Sequence, residues 1–295
     1  MVIDAHTHLY APEVSAAPQA WANANREFIW LQAVAPANRA SIQGWASVDQ
    51  LLRDMDEAGI DRVVLLGWYW EHQATADMQN GWSTNWIRAH PDRLSAFAAV
   101  TPSLNGNWLD STRQALDNGF CGIGELLPQA QGFSFKEDSF AALMALAREY
   151  QLPTNLHVSD PVAAARSAAL IPTPLEELVQ MVSDFPENLF ILAHWGGGLP
   201  FHELNRGMGA RFRNVFYDTA ASALLYDASV YRRVCDLVGA GRILFGTDYP
   251  LLTHPRTATK PGFTLDLQDA RLSGLTEAEL HSILGENTRR LLRLK

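Results

Sequence analysis

Two histidines separated by one residue open the chain, in Met1-Val2-Ile3-Asp4-Ala5-His6-Thr7-His8-Leu9. On an extended strand alternate side chains share a face, so His6 and His8 point the same way. Two imidazoles on one face are half of a metal site, because neutral histidine is the commonest protein ligand for zinc-like ions. More ligand-type residues follow, each closing a short apolar run. They are Glu125 in Cys-Gly-Ile-Gly-Glu, His157 in Asn-Leu-His, His194 in Ile-Leu-Ala-His and Asp248 in Phe-Gly-Thr-Asp. One histidine closing one apolar run is ordinarily a packed structural residue. His6, His8, His157 and His194 with Glu125 and Asp248, all closing such runs, predict a divalent-metal centre.

These residues need a scaffold that brings strand ends together. Apolar runs rich in Val, Ile, Leu and Phe recur at 62–66, 94–100, 122–126, 153–158, 189–193, 215–218 and 242–245, with helical patterns near 79–90, 108–118, 137–150, 174–184, 200–211 and 228–238 between them. The spacing is roughly 30 residues, the length of a βαβ unit. Nearly continuous apolar strands imply a parallel sheet covered on both faces. Counting the opening strand, the pattern predicts an α/β fold, a (β/α)8 TIM barrel whose active site lies at the C-terminal strand ends. The rival, a doubly wound sheet, would carry a Gly-rich phosphate turn after its first strand, where this chain has His-Thr-His.

The chain reads as a single domain over 1–295. Residues 11–46, with Trp21, Trp30 and Trp45, read as a partly helical insertion over the barrel mouth. Ser47 opens and Gly59 stops a helix, and Thr276 caps the first of the extra C-terminal helices. Composition limits the function classes. Of the 295 residues 47% are hydrophobic and 19% charged, and the formal net charge is -9. That suits a large buried core and carries no basic stripe for nucleic acid. No apolar run is long enough to span a membrane and no signal-peptide pattern opens the chain, so the expectation is a cytoplasmic protein without membrane partners. The two cysteines, Cys121 and Cys235, sit in apolar surroundings and read as free thiols.

The chain resembles the amidohydrolase superfamily, in particular amidohydrolase family 2. The resemblance covers the whole chain and rests on Asp4-Ala5-His6-Thr7-His8, Asn155-Leu156-His157, Ala193-His194-Trp195-Gly196-Gly197-Gly198, Phe245-Gly246-Thr247-Asp248-Tyr249-Pro250 and the closing Ile283-Leu284-Gly285-Glu286-Asn287-Thr288-Arg289-Arg290. It implies that His6, His8 and Asp248 hold one metal and that His157 and His194 hold or face a second position. Many relatives place a carbamylated Lys or a Glu at the end of strand four, where this chain has Glu125. As a ligand Glu125 allows two ions; otherwise one ion is expected and a later histidine contacts substrate.

Such a divalent ion, with zinc favoured over manganese, makes hydroxide available near neutral pH and polarises a substrate oxygen. Asp248 is the candidate general base and His194 the candidate to polarise the substrate. Trp68, Tyr69 and Trp70 follow strand two and offer aromatic pocket walls; His202 and Arg256 are the other candidate substrate contacts. The leading expectation is hydrolysis of an amide, ester, lactone or related bond in a small molecule. The alternative is a nonoxidative decarboxylase or hydratase of a small aromatic or unsaturated carboxylic acid. Glu125 favours the hydrolase, since decarboxylase-like relatives generally lack an acid at that strand end. A non-catalytic barrel would require an incomplete ligand set. A homo-oligomer is left open.

Overall fold

The computed structural model describes residues 1–164 and 170–295. Its eight parallel strands are β1 (Ile3–Thr7), β2 (Arg62–Leu65), β3 (Leu94–Ala96), β4 (Ile123–Leu126), β5 (Thr154–Leu156), β6 (Phe190–Leu192), β7 (Val215–Asp218) and β8 (Ile243–Leu244). The first three pair in chain order, and so do the last five. Both seams are closed: Ala98 bridges to Ile123 and Thr7 to Tyr249. Backbone hydrogen bonds run across them, from Ala98 N to Gly122 O at 2.9 Å and from Ala5 N to Phe245 O at 2.7 Å. The fold is the expected (β/α)8 TIM barrel.

Alternation along the strands divides the core. Val63 and Leu65 pack with Phe190 and Val215 and with helix residues such as Leu51, Leu143 and Val234. Their neighbours Val64 and Leu66 join Ile3, Phe97, Ile191 and Leu244, together with Leu291 and Leu292 from the C-terminal end. Both strand faces are therefore apolar, and the polar residues are left to the strand ends. Helix boundaries follow local chemistry. The Ser47 side chain accepts from Gln50 N and Gly59 ends that helix in a left-handed conformation. Thr276 and Glu279 form a reciprocal capping box.

The expected helix over 200–211 is instead two single turns, Leu199–His202 and Met208–Arg211. Gly207, with φ of 82°, starts the second turn in a left-handed conformation that breaks any continuous helix. The segment after β1 is helical over Pro12–Ala16, Pro18–Asn25 and Phe28–Val34. Among the described residues, no helix is long and apolar enough to cross a membrane.

After β6 the chain makes an unusual left-handed turn, with φ of 57° at Trp195, 55° at Gly196 and 60° at Gly197. A Cβ at Gly196 would lie 2.8 Å from the Tyr217 ring. Gly196→Ala therefore combines backbone strain with a clash against a buried side chain. We expect it to destabilise the fold by about 1–3 kcal/mol, read as a lower denaturant midpoint with an unchanged slope.

Candidate active site

The strand ends carry their polar side chains to one place. His6 and His8 do share a face: their Nε2 atoms are 3.3 Å apart. Asp248 Oδ1 lies 3.4 Å from His8 Nε2 and 3.8 Å from His6 Nε2. Glu125 Oε1 lies 3.9 Å from His6 Nε2 and 3.6 Å from His194 Nε2, and its Oε2 is 3.7 Å from His8 Nε2. Among the described residues, two donor groups are compact enough for an ion: His6, His8 and Asp248, and His6, Glu125 and His194. Donor atoms around a small divalent ion are typically about 3–3.5 Å apart, given metal–donor distances near 2.0–2.2 Å. The first group fits that spacing, the second more loosely.

Backbone conformation aims two of these residues. Asp248 and His194 both have left-handed backbone, with φ of 69° and 56°, an uncommon state for residues with a side chain. Asp248 N donates to His6 O at 2.9 Å, which ties the ends of β8 and β1 together. His194 Nδ1 lies 3.0 Å from Ala220 O. A carbonyl can only accept, so Nδ1 carries the proton and Nε2 faces the centre.

His157 belongs to neither donor group but lies against the second, its Nδ1 3.2 Å from His194 Nε2. Its Nδ1 is 2.8 Å from Glu125 Oε1 and its Nε2 3.1 Å from Ser159 Oγ. With the glutamate as acceptor, Nδ1 donates to Glu125 and the Ser159 hydroxyl donates to Nε2. His8 Nδ1 is buried without a partner.

The electrostatics of the cluster pull in opposite directions. Burial opposes charge on Glu125, but the His157 and His6 imidazoles outweigh it and hold the carboxyl well below its usual range. Burial also opposes charge on His6, yet Asp218 and Glu125 raise it to about 10. Burial lowers His8. Carboxylates packed this closely demand positive charge among them, carried by protonated His6 or supplied by a cation. The donor set therefore fits a divalent ion by both spacing and charge.

A cavity of about 420 Å³ opens on this cluster, with His8, Glu125, His157, His194 and Asp248 in its wall. Trp68 and Tyr69 form its aromatic side, their rings stacked 4.2 Å apart, and Tyr69 lies 4.9 Å from the His157 ring. Trp70 does not line it. Trp70 is fully buried beneath, among Trp21, Trp30 and Tyr10, with its indole N–H donated to Gln79. The chain after β2 turns so that Tyr69, not Trp70, meets the cavity. His202 and Arg256 are exposed and lie outside the cavity wall, on elements that lead away from the strand ends.

Sequence reasoning missed three contributors. Arg39, from the segment after β1, carries the only guanidinium or ammonium among the described residues of the wall. Its Nη2 donates to Gln32 O at 2.8 Å. Asp160, which accepts from the Tyr226 hydroxyl, also lines the cavity. Asp218, at the end of β7, is fully buried and contacts His6 Nδ1 at 2.9 Å. It closes an apolar run as the other acids do, and that position was the available signal.

Several solved structures resemble the chain over its whole length, decarboxylases of aromatic acids among them. The 5-carboxyvanillate decarboxylase of Sphingomonas paucimobilis is 17% identical with a TM-score of 0.76, covering 100% of this chain and 99% of that one. The same activity from Novosphingobium aromaticivorans, solved with manganese and 4-hydroxy-3-methoxy-5-nitrobenzoic acid, is 16% identical with a TM-score of 0.76, covering 100% and 96%. The 2,6-dihydroxybenzoate decarboxylase of Rhizobium is 19% identical with a TM-score of 0.69, covering 99% and 98%. No curated protein matches the sequence.

These neighbours contradict the expectation of a hydrolase: the three solved structures above, which share this fold from end to end, are decarboxylases of aromatic acids. Glu125 is a poor marker for hydrolysis here. It is 1% exposed and accepts from His157 through Oε1. The amidohydrolase family model matches residues 3–294, and the chain belongs to that family.

Proposed function

We propose that the protein is a metal-dependent nonoxidative decarboxylase of a small aromatic carboxylic acid. The observation that carries this reading is the junction of an aromatic-walled cavity with the His6–His8–Asp248 donor group. The decarboxylase neighbours support it. His6 Nε2, His8 Nε2 and Asp248 Oδ1 would hold one divalent ion. A second, separate ion on His6, Glu125 and His194 would need the same His6 Nε2, which has one lone pair. The mixed nitrogen and oxygen donors suit Mn2+ as well as Zn2+, and manganese is the ion in the Novosphingobium neighbour; we place manganese ahead of zinc.

When bound, the ion would supply positive charge that anchors an anionic substrate. The chain's own residues do the rest. Trp68 and Tyr69 flank the ring. His194, fixed by Ala220 O, and His157, fixed by Glu125 and Ser159, face the substrate oxygens. Ile29, Val34 and Arg39, from residues 11–46, line the cavity, and Arg39 is available to a polar or anionic ring substituent. As the bond between ring and carboxylate breaks, its electron pair stays on the ring carbon and carbon dioxide leaves. Asp248, through the oxygen not assigned to the ion, is the group placed to relay to that ring carbon a proton taken from water.

Two measurements follow. In calorimetry, 4-hydroxy-3-methoxy-5-nitrobenzoic acid should bind the manganese-loaded protein and not the metal-free one. Absence of binding in both would contradict the reading. In metal titration, both wild type and Glu125→Gln should saturate at one ion, with the variant binding more weakly because a negative charge beside the His6 and His8 Nε2 atoms is lost. Two ions in wild type would overturn the single-ion assignment.

A further inference from the structure

Asp218 lies outside the cavity wall and is fully buried, yet it touches residues from four strand ends. Its Oδ2 accepts from His6 Nδ1 at 2.9 Å and from Asn155 Nδ2 at 3.3 Å. Its Oδ1 accepts from His194 N at 2.9 Å and from Ala220 N at 3.1 Å. One carboxylate thus joins the ends of β1, β5, β6 and β7. An ionised carboxylate is an acceptor only, so His6 Nδ1 must be the donor. His6 Nε2 is then left to the donor cluster. At the other oxygen, the donor is the backbone N–H of a residue held at φ of 56°. That hydrogen bond helps retain a conformation an unrestrained histidine would leave. Ala220, the second donor to the same oxygen, is also the residue whose carbonyl fixes His194 Nδ1.

We propose that Asp218 is the positioning residue of the centre: it sets the tautomer of His6 and, through the backbone, the aim of His194. It reaches no substrate and acts through the two histidines. Outer partners of this kind fix the ring orientation and raise the basicity of a ligating imidazole. The inference rests on the single-ion reading above.

Asp218→Asn separates the two roles. The amide keeps one oxygen for His194 N and Ala220 N but turns an N–H2 towards His6 Nδ1. Nδ1 must then accept, and the His6 proton moves to Nε2, where it blocks a ligand lone pair. Zinc and manganese affinity measured by calorimetry should fall about 10- to 100-fold while the circular dichroism spectrum is unchanged. In 15N-histidine spectra of the zinc-loaded wild type, His6 should show a protonated Nδ1 with a hydrogen-bonded proton. That signal should be lost or shifted strongly in the variant.

Affinity within twofold of wild type, with the His6 signals unmoved, would overturn the proposal. So would a zinc-loaded wild type whose His6 Nδ1 carries no proton, a result that needs no variant to fold. If wild type binds neither ion, the single-ion reading itself fails and this inference falls with it.

Discussion

Asp248→Asn is expected to keep the fold and part of the metal affinity but to lower turnover of an aromatic acid by about 10^2- to 10^4-fold, the usual cost of removing a proton-transfer group. The asparagine keeps an oxygen near His6 and His8, where Asp248 Oδ1 stands 3.8 and 3.4 Å from the two Nε2 atoms. It cannot carry the proton to the ring carbon. The left-handed backbone at this position, with φ of 69°, is tolerated by asparagine better than by most residues. Folding should therefore be spared, and the loss should appear in kcat more than in KM. Near-wild-type turnover would remove Asp248 from the proton path. Complete loss of metal would make it a ligand first and move the search for the acid to His194 or His157.

The double variant His6→Ala/His8→Ala should lose the metal altogether. Each compact donor group contains His6, and one contains both histidines. The remaining Glu125, His194 and Asp248 no longer make a three-donor set around one point. Bound metal after gel filtration should fall below about a tenth of an equivalent, as expected when a site retains too few ligands, and decarboxylation should vanish with it. Stability should fall too, by about 1–3 kcal/mol, because buried Asp218 loses its His6 partner. A folded double variant that retains a full equivalent of metal would place the ion elsewhere.

Much of this site was readable because the barrel has a simple grammar. Apolar runs of β-branched and aromatic residues repeated at βαβ spacing, and any polar residue closing such a run had to lie at the same end of the barrel. His6, His8, Glu125, His157, His194 and Asp248 were all singled out that way; the structure brings them together at the strand ends, and all but His6 line the cavity. What that grammar does not encode is the path of the chain beyond a strand. Past β2 the backbone leaves the two-residue alternation, so three consecutive aromatics gave no sign that Tyr69 faces the cavity while Trp70 packs below it.

His202 and Arg256 failed for the related reason that loop residues take their direction from tertiary contacts. Arg39 was hidden in an irregular segment with no periodicity to orient it. Asp218 was missed although it closes an apolar run, because an aspartate pointing at a neighbouring histidine looks in sequence like any other. The reaction class was the least legible feature. The same donors can serve hydrolysis or decarboxylation, and Glu125 pointed the wrong way because its partners, the surrounding imidazoles, are separated from it by tens of residues.

The most direct test is a reaction in D2O. Manganese-loaded protein is incubated with a panel that includes 5-carboxyvanillate and 2,6-dihydroxybenzoate, and also with aryl esters and lactones. The account predicts release of one carbon dioxide per turnover from an aromatic acid, with a single deuterium on the vacated ring carbon and no reaction after chelation. Hydrolysis of an ester or lactone with no carbon dioxide from any acid would contradict it.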